Sequence, residues 1–238
     1  MNPRTFLITG ATKGIGLALS RRLVSAGHHV VGLARSDAEF PGELVTTDLA
    51  DRSQTARALD GLTERHAFDG VINNVGLVRP QRLGEIRHDD MDAVFSVNLH
   101  AAVQVVQATL PAMRRQGWGR IVNISSLTIL GITDRTAYAA AKAGLVSFSR
   151  SWALELADTG ITVNAIAPGP TETELFRVNN PPGSEGERRY LSGVPMGRFG
   201  KPEEIAAGIE FFLSEEASFI TGQTLFIDGG ASIGKAAF

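Results

Sequence analysis

Arg4-Thr5-Phe6-Leu7-Ile8-Thr9, followed by Gly10-Ala11-Thr12-Lys13-Gly14-Ile15-Gly16, decides how the chain is read. The first six residues hold a short apolar run of strand length, and Ile15, Ala18, Leu19 and Leu23 then recur at helical spacing. Strand, glycine turn and helix in that order suit a dinucleotide pyrophosphate. Glycines let the backbone approach closely, and a helix N-terminus offers unpaired N–H groups with a partial positive charge. The spacing is G-x-x-x-G-x-G, not the commoner G-x-G-x-x-G. Three glycines can also serve a tight bend, so the weight comes from their place at the first strand-to-helix junction.

Working outward, Val30-Val31-Gly32-Leu33 reads as a second strand running into Ala34-Arg35-Ser36. An acidic residue at that place would bind both hydroxyls of an adenosine ribose, whereas Ala34 leaves space and Arg35 supplies a guanidinium for a 2′-phosphate. Lys13 adds a second cation, so NADP(H) is expected over NAD(H). Leu44 to Thr47 forms a third strand entering Asp48-Leu49, where Asp48 can accept from adenine or simply cap the turn before a helix over 53–65. Val71-Ile72 leads into Asn73-Asn74-Val75-Gly76, two carboxamides and a glycine at a strand end. The segment 89–115 is one long helical pattern with Asn98 among Val94, Phe95, Val97 and Leu99. An interior helical Asn is unfavourable by propensity and needs a structural hydrogen bond or a job.

Arg120 to Ile124 is a fifth strand ending in Ser125-Ser126, followed by a helix from Tyr138 to about Asp158. Ile161 to Ile166 is a sixth, broken by Ala167-Pro168-Gly169-Pro170. The polar, Pro- and Gly-rich stretch from Thr171 to about Gly197 has the composition of a mobile substrate lid. Pro202-Glu203-Glu204 opens a last helix, and the strand Thr224 to Ile227 ends in Asp228-Gly229-Gly230. In an open parallel sheet ligands sit beyond the carboxyl ends of the strands, which places the glycine turn, Asp48, Asn74 and Ser126 on one edge.

The 238 residues, 43% hydrophobic, suffice for one domain over 1–238. Lys and Arg number 23 against 25 Asp and Glu, with no basic run, so neither nucleic acid nor an anionic membrane is an expected partner. With no cysteine there can be no disulfide, thiolate metal site or cysteine nucleophile, and no metal is expected. The first strand begins too early for a signal peptide and no apolar stretch approaches ~18 residues, so a cytoplasmic protein is expected.

Tyr138-Ala139-Ala140-Ala141-Lys142 carries the chemistry. On a helix the two end residues stand one turn apart on one face. An ammonium there would stabilise a phenolate and bring the phenol down from its usual pKa of ~10. Alone, such a pair is more often a packed ring beside a snorkelling amine.

Together, Thr9-Gly10-x-x-x-Gly14-x-Gly16, Asn73-Asn74-Val75-Gly76, Asn98, the paired serines, Tyr138-x-x-x-Lys142, Pro168-Gly169 and Asp228-Gly229-Gly230 resemble the short-chain dehydrogenase/reductase family over almost the whole chain. The resemblance implies a doubly wound α/β Rossmann fold, with a seven-stranded parallel sheet in the order 3-2-1-4-5-6-7 and helices on both faces. It implies Tyr138 as general acid/base, Lys142 on the nicotinamide ribose, a serine orienting the substrate oxygen, and Asn98 holding a relay water. The cofactor set it implies is Gly10, Thr12, Lys13, Gly14, Ile15, Gly16, Arg35, Asp48, Leu49, Asn74, Val75, Gly76, Tyr138, Lys142, Pro168, Gly169, Thr171 and Thr173. It also implies a homotetramer built partly on the helices at 89–115 and 138–158.

Two departures stand out. Val75 occupies the alanine position of the family's Asn-Asn-Ala-Gly, and the usual spacing before the tyrosine points to Ser125. Register from the fifth strand points instead to Ser126, because a one-residue slip would turn every side chain over, whereas a loop absorbs a deletion easily. Ser126 is the expected catalytic serine and Ser125 the fallback. The implied activity is reversible hydride transfer between NADP(H) and a ketone or secondary alcohol of a small molecule. A 3-oxoacyl thioester reductase is the alternative, and an NADP(H)-sensing binding protein the non-enzymatic one. For the thioester reading, the family's basic residue near the end of the tyrosine helix is replaced by Asp158-Thr159-Gly160, although Arg114, Arg115 and Arg120 remain nearby. Arg188, Arg189 and Tyr190 in the lid suit either an anionic substrate or a solvated face.

Overall fold

The computed structural model describes residues 3–234. Seven strands, β1 (Thr5–Thr9), β2 (His29–Ala34), β3 (Glu43–Thr46), β4 (Gly70–Asn73), β5 (Gly119–Ile124), β6 (Ile161–Pro168) and β7 (Thr224–Ile227), form one parallel sheet ordered β3-β2-β1-β4-β5-β6-β7. The expected order is therefore borne out. The central strands are buried on both faces, which is why they read as unbroken apolar runs. Alternation along each strand feeds two cores. Leu7, Val71 and Ile121 point to one, with Leu59, Leu62, Val105 and Met113; Phe6, Ile8, Ile72 and Val122 point to the other, with Leu19, Leu23, Ile205 and Phe212.

The helices supplying those residues are α1 (Gly14–Ser25) and α8 (Pro202–Leu213) on one face, and α2 (Arg52–Arg65) and α4 (Ala101–Gln116) on the other. Helices α3 (His88–Phe95) and α5 (Thr136–Glu155) share a third, smaller cluster of Val94, Ala137 and Ala141, with Tyr138 against it. Register aligns Ile8 with Ile72, Ile72 with Val122, and Ile124 with Ile166, so the carboxyl ends of β1, β4, β5 and β6 meet along one edge.

Several boundaries differ from the sequence expectation. The segment read as one helix over 89–115 contains a π turn at Ser96–His100, with Asn98 in it. The extra residue such a turn inserts gives no signal in hydrophobic periodicity. An 18-residue window within His88–Gln116 has a mean hydropathy of 1.3, enough by length and composition alone to cross a membrane, although polar residues interrupt it throughout. Its buried residues pack on the sheet and on α5. Helix α5 ends at Glu155, short of Asp158. The stretch read as a lid holds two helices, α6 (Glu174–Asn179) and α7 (Glu185–Ser192). Arg177 joins them, pairing with both Glu172 and Glu187, and Glu187 also accepts from Gly183 N. Local polar composition gave no sign of that cross-helix arrangement.

Candidate active site

The turn after β1 is a cradle that side chains would fill. Gly10 and Gly14 have φ of +64° and +50°, and a Cβ on Gly16 would stand 2.3 Å from the Gly10 carbonyl oxygen. Helix α1 begins with no side-chain cap and no acidic residue in its first turn, so its leading N–H groups face outward with the helix dipole behind them. The Thr9 hydroxyl ties the neighbouring strand end to this turn, accepting from Asn74 N at 2.9 Å and Val75 N at 3.0 Å. The Asn74 amide donates to the carbonyls of Thr9 and Gly10, both at 3.0 Å. The motif alone assigns Thr9 no role; the signal that marks it is a hydroxyl residue at a strand end directly before glycine.

Thr12 and Ile15 lie half-buried in the same turn. Arg35 is exposed just beyond β2 and has no carboxylate partner among the described residues. Lys13, expected as a second free cation, is instead paired with Glu174 at the start of α6, 2.6 Å away. Thr173 caps α6, and its methyl group would lie 3.1 Å from a Cβ on Gly14, so the lid helix starts against the cofactor turn. Asp48 accepts from Ala50 N at 3.0 Å with one oxygen, the other having no partner among the described residues, while the Leu49 side chain is buried in the core and leaves only its backbone for the edge. Gly169, after Pro168, packs against Asp228, and Thr171 donates to the Gly169 carbonyl at 2.9 Å. These features fit a nicotinamide dinucleotide along the carboxyl edge of the sheet.

At the centre of that edge, β5 ends in the two serines with opposite orientations. Ser125 is buried and donates to the Lys142 carbonyl at 2.8 Å, which makes it a strand-to-helix tie. Ser126, in extended backbone, faces the Tyr138 phenol and accepts from Thr128 N at 3.2 Å. Lys142 Nζ lies 5.7 Å from the centre of the Tyr138 ring and donates to the Ile124 carbonyl at 2.7 Å. Asn98 donates to the carbonyls of Val94 and Leu77, which anchors the π turn, while its buried Oδ1 has no partner among the described residues. A Cβ on Gly76 would stand 3.5 Å from that oxygen and 3.8 Å from Lys142 Nζ, so Gly76 keeps the space between them open.

The electrostatics differ from the expectation that Lys142 draws the phenol towards neutrality. Burial pushes the Tyr138 pKa up to about 12, opposed by Ser126 and by the Arg135 guanidinium and assisted by the Tyr190 phenol. Burial also pushes Lys142 down to about 7. Desolvation penalises whichever form is charged, so the pair without its ligands leans towards two neutral groups. Tyr190, on α7, thus lies near the Tyr138 phenol, while Arg188 and Arg189 beside it are exposed. Arg120 is not available for docking an acidic partner: it is buried, stacked 4.3 Å from the Trp118 ring, and paired with Glu215.

A family model described as enoyl-(acyl carrier protein) reductase matches residues 10–232. The 3-oxoacyl-(acyl-carrier-protein) reductase FabG of Vibrio harveyi is 37% identical, with 94% of this chain and 95% of that protein covered. Among solved structures, levodione reductase matches at TM-score 0.89 and 31% identity over 97% of this chain and 98% of its own. A candidate NAD(P)-dependent gluconate 5-dehydrogenase from Beutenbergia cavernae, with NADP bound at low occupancy, matches at TM-score 0.89 and 33% identity over 96% of each chain.

Proposed function

The chain belongs to the short-chain dehydrogenase/reductase family, an oxidoreductase family using a nicotinamide cofactor, and we propose that it reduces a 3-oxoacyl group to the 3-hydroxy compound with NADPH. The single observation that carries the chemistry is the meeting of Ser126, Tyr138 and Lys142 at one strand end, with the unpaired Asn98 oxygen behind them. When bound, NADPH supplies the hydride for the carbonyl carbon. Ser126 holds the carbonyl oxygen, and Tyr138 gives it the proton. A phenol with a raised pKa stays protonated at neutral pH, the form needed for reduction. Asn98 Oδ1 and Lys142 Nζ flank an opening at Gly76 suited to a water that returns a proton to the phenol.

The 3-oxoacyl substrate is supported by the Vibrio harveyi relative's activity and coverage. Small ketones and sugar acids, the substrate classes named for the structural relatives, are the second reading. NADPH oxidation followed against 3-oxoacyl thioesters, small ketones, cyclic diketones and sugar acids tests the two, with thioesters expected to give the highest kcat/KM. NADPH binding without turnover on any of them would leave only a sensing role.

The coenzyme preference rests on Arg35. Arg35→Ala is expected to weaken NADPH about 10-fold, the worth of one charge-assisted phosphate contact, and to leave NADH binding close to wild type. Calorimetric titration of both coenzymes reads this directly; wild-type preference for NADH would overturn it.

The serine assignment is tested by separate alanine variants. Ser126→Ala is expected to cost about 10²-fold in kcat through loss of a hydrogen bond to the developing oxyanion. Ser125→Ala should act mainly on thermal stability, since its hydroxyl is spent on the Lys142 carbonyl. The opposite pattern would reverse the assignment.

A further inference from the structure

We propose that Asn123 and Ser149, bonded to each other between β5 and α5, are positioning residues for the proton transfer: they seat α5 on the sheet at one rotation and one position along its axis, and so fix where Tyr138 and Lys142 stand. The inference rests on the reductase reading above and extends it to two residues buried beneath the site.

Lys142, Leu145, Ser149 and Ala153 recur at helical spacing on α5 and are all buried, although lysine and serine are mostly exposed residue types. Asn123 is equally unexpected in β5, where the same strand face carries Ile121 into an apolar core shared with Ala153. Buried polar groups are costly unless bonded, and apolar replacements of the same shape can be as stable. What the polar groups add is direction. Asn73 Nδ2 donates to Asn123 Oδ1 at 2.8 Å, Asn123 Nδ2 to Ser149 Oγ at 2.9 Å, and Ser149 Oγ to the Leu145 carbonyl at 2.8 Å. Every bond in that chain points from β4 through β5 into α5, so each donor polarises the next. Its first member is aligned with Asn123 across the sheet and precedes Asn74, whose amide holds the Gly10 carbonyl of the cofactor turn.

Helix α5 is thereby anchored twice. At the Lys142 end, Ser125 Oγ donates to the Lys142 carbonyl at 2.8 Å and Lys142 Nζ to the Ile124 carbonyl at 2.7 Å, so loss of the Ser125 hydroxyl alone leaves that end tied. Ser149 lies about two turns, ~10 Å, further along the helix, and Asn123 is its one tie to the sheet among the described residues. A helix tied at one end can swivel; ties at two heights fix rotation and slide together. Apolar contact does neither, being non-directional.

Ser149→Ala is compared with wild type and with Thr109→Val. The latter deletes another fully buried hydroxyl, bonded to the carbonyl four residues back on α4 and making no tie to the sheet. The proteins are assayed with NADPH and the N-acetylcysteamine thioester of 3-oxobutanoate, well below the melting temperature of each. Ser149→Ala should lose about 10-fold in kcat, within the ~10²-fold that a 1 Å misplacement can cost, with KM and NADPH affinity close to wild type. Thr109→Val should melt lower than wild type and keep its kcat. Amide hydrogen exchange of the NADP complexes reads the seating itself: α5 should exchange about 5-fold faster in Ser149→Ala, the worth of one buried hydrogen bond, and at the wild-type rate in Thr109→Val. An unchanged kcat in Ser149→Ala, or the same loss in both variants, would overturn the proposal and leave Ser149 with a stabilising role alone. Should Ser149→Ala not fold, Asn123→Leu removes the same bond from the strand side and is judged by the same criteria. If wild type reduces neither this thioester nor any ketone, the reductase reading itself fails. Exchange then decides the inference, and equal α5 exchange in wild type and Ser149→Ala refutes it.

Discussion

Tyr138→Phe is expected to bind NADPH as the wild type does and to turn over about 10³-fold more slowly, within the range for removal of a general acid. The ring's packing against the cluster of Val94, Ala137 and Ala141 is kept, and so is its place beside Lys142 Nζ. Only the hydroxyl that faces Ser126 is lost. The loss should appear in kcat and kcat/KM alike, because proton transfer belongs to the transition state more than to the bound ground state. The measurement is steady-state NADPH oxidation alongside a coenzyme titration. Retained turnover would remove Tyr138 from the proton-transfer role, and lost coenzyme binding would assign it a structural one.

The second large effect concerns stability and its pH dependence. Lys142 releases its proton near pH 7 in the folded protein, against 10.5 for an ordinary lysine, because burial penalises the ammonium. Between those values the unfolded chain binds more protons than the folded one, so stability rises with pH through the window and the full penalty is present below about pH 7. A shift of that size is worth a few kcal/mol (~1.4 per unit). Lys142→Met removes the penalty and leaves the Ile124 carbonyl without its donor, a cost of about 1–3 kcal/mol. The variant is therefore expected to melt higher than wild type at pH 6, by roughly 2–4 °C for each net kcal/mol. The advantage should shrink with rising pH and reverse near pH 10, where only the unpaired carbonyl remains. Turnover should be lost at every pH. Thermal melts across pH 6–10 check this; a constant difference between the two proteins would show that Lys142 is not the titrating group.

Much of the site was legible because its spacing is local. Tyr138 and Lys142 lie one helical turn apart, and the two serines point opposite ways because side chains alternate along extended chain. What stayed illegible depended on partners distant in sequence. Lys13 meets Glu174, and Arg120 is enclosed by Trp118 and Glu215. The π turn that delivers Asn98 is stabilised by a side-chain bond to Leu77, far from it along the chain. The protonation balance of Tyr138 and Lys142 likewise follows from burial, which no spacing reveals.

The sequence by itself determined the seven strands and the main helices between them, the glycine cradle and the one-turn pairing of Tyr138 with Lys142. These follow from backbone sterics and from the periods of strand and helix, which act over a few residues. Only the tertiary structure decided which charges are neutralised, which polar atoms are left without partners, and which way burial moves each proton. Those outcomes depend on solvent exclusion and on groups brought together from separate strands, and neither exists until the sheet has closed its two cores.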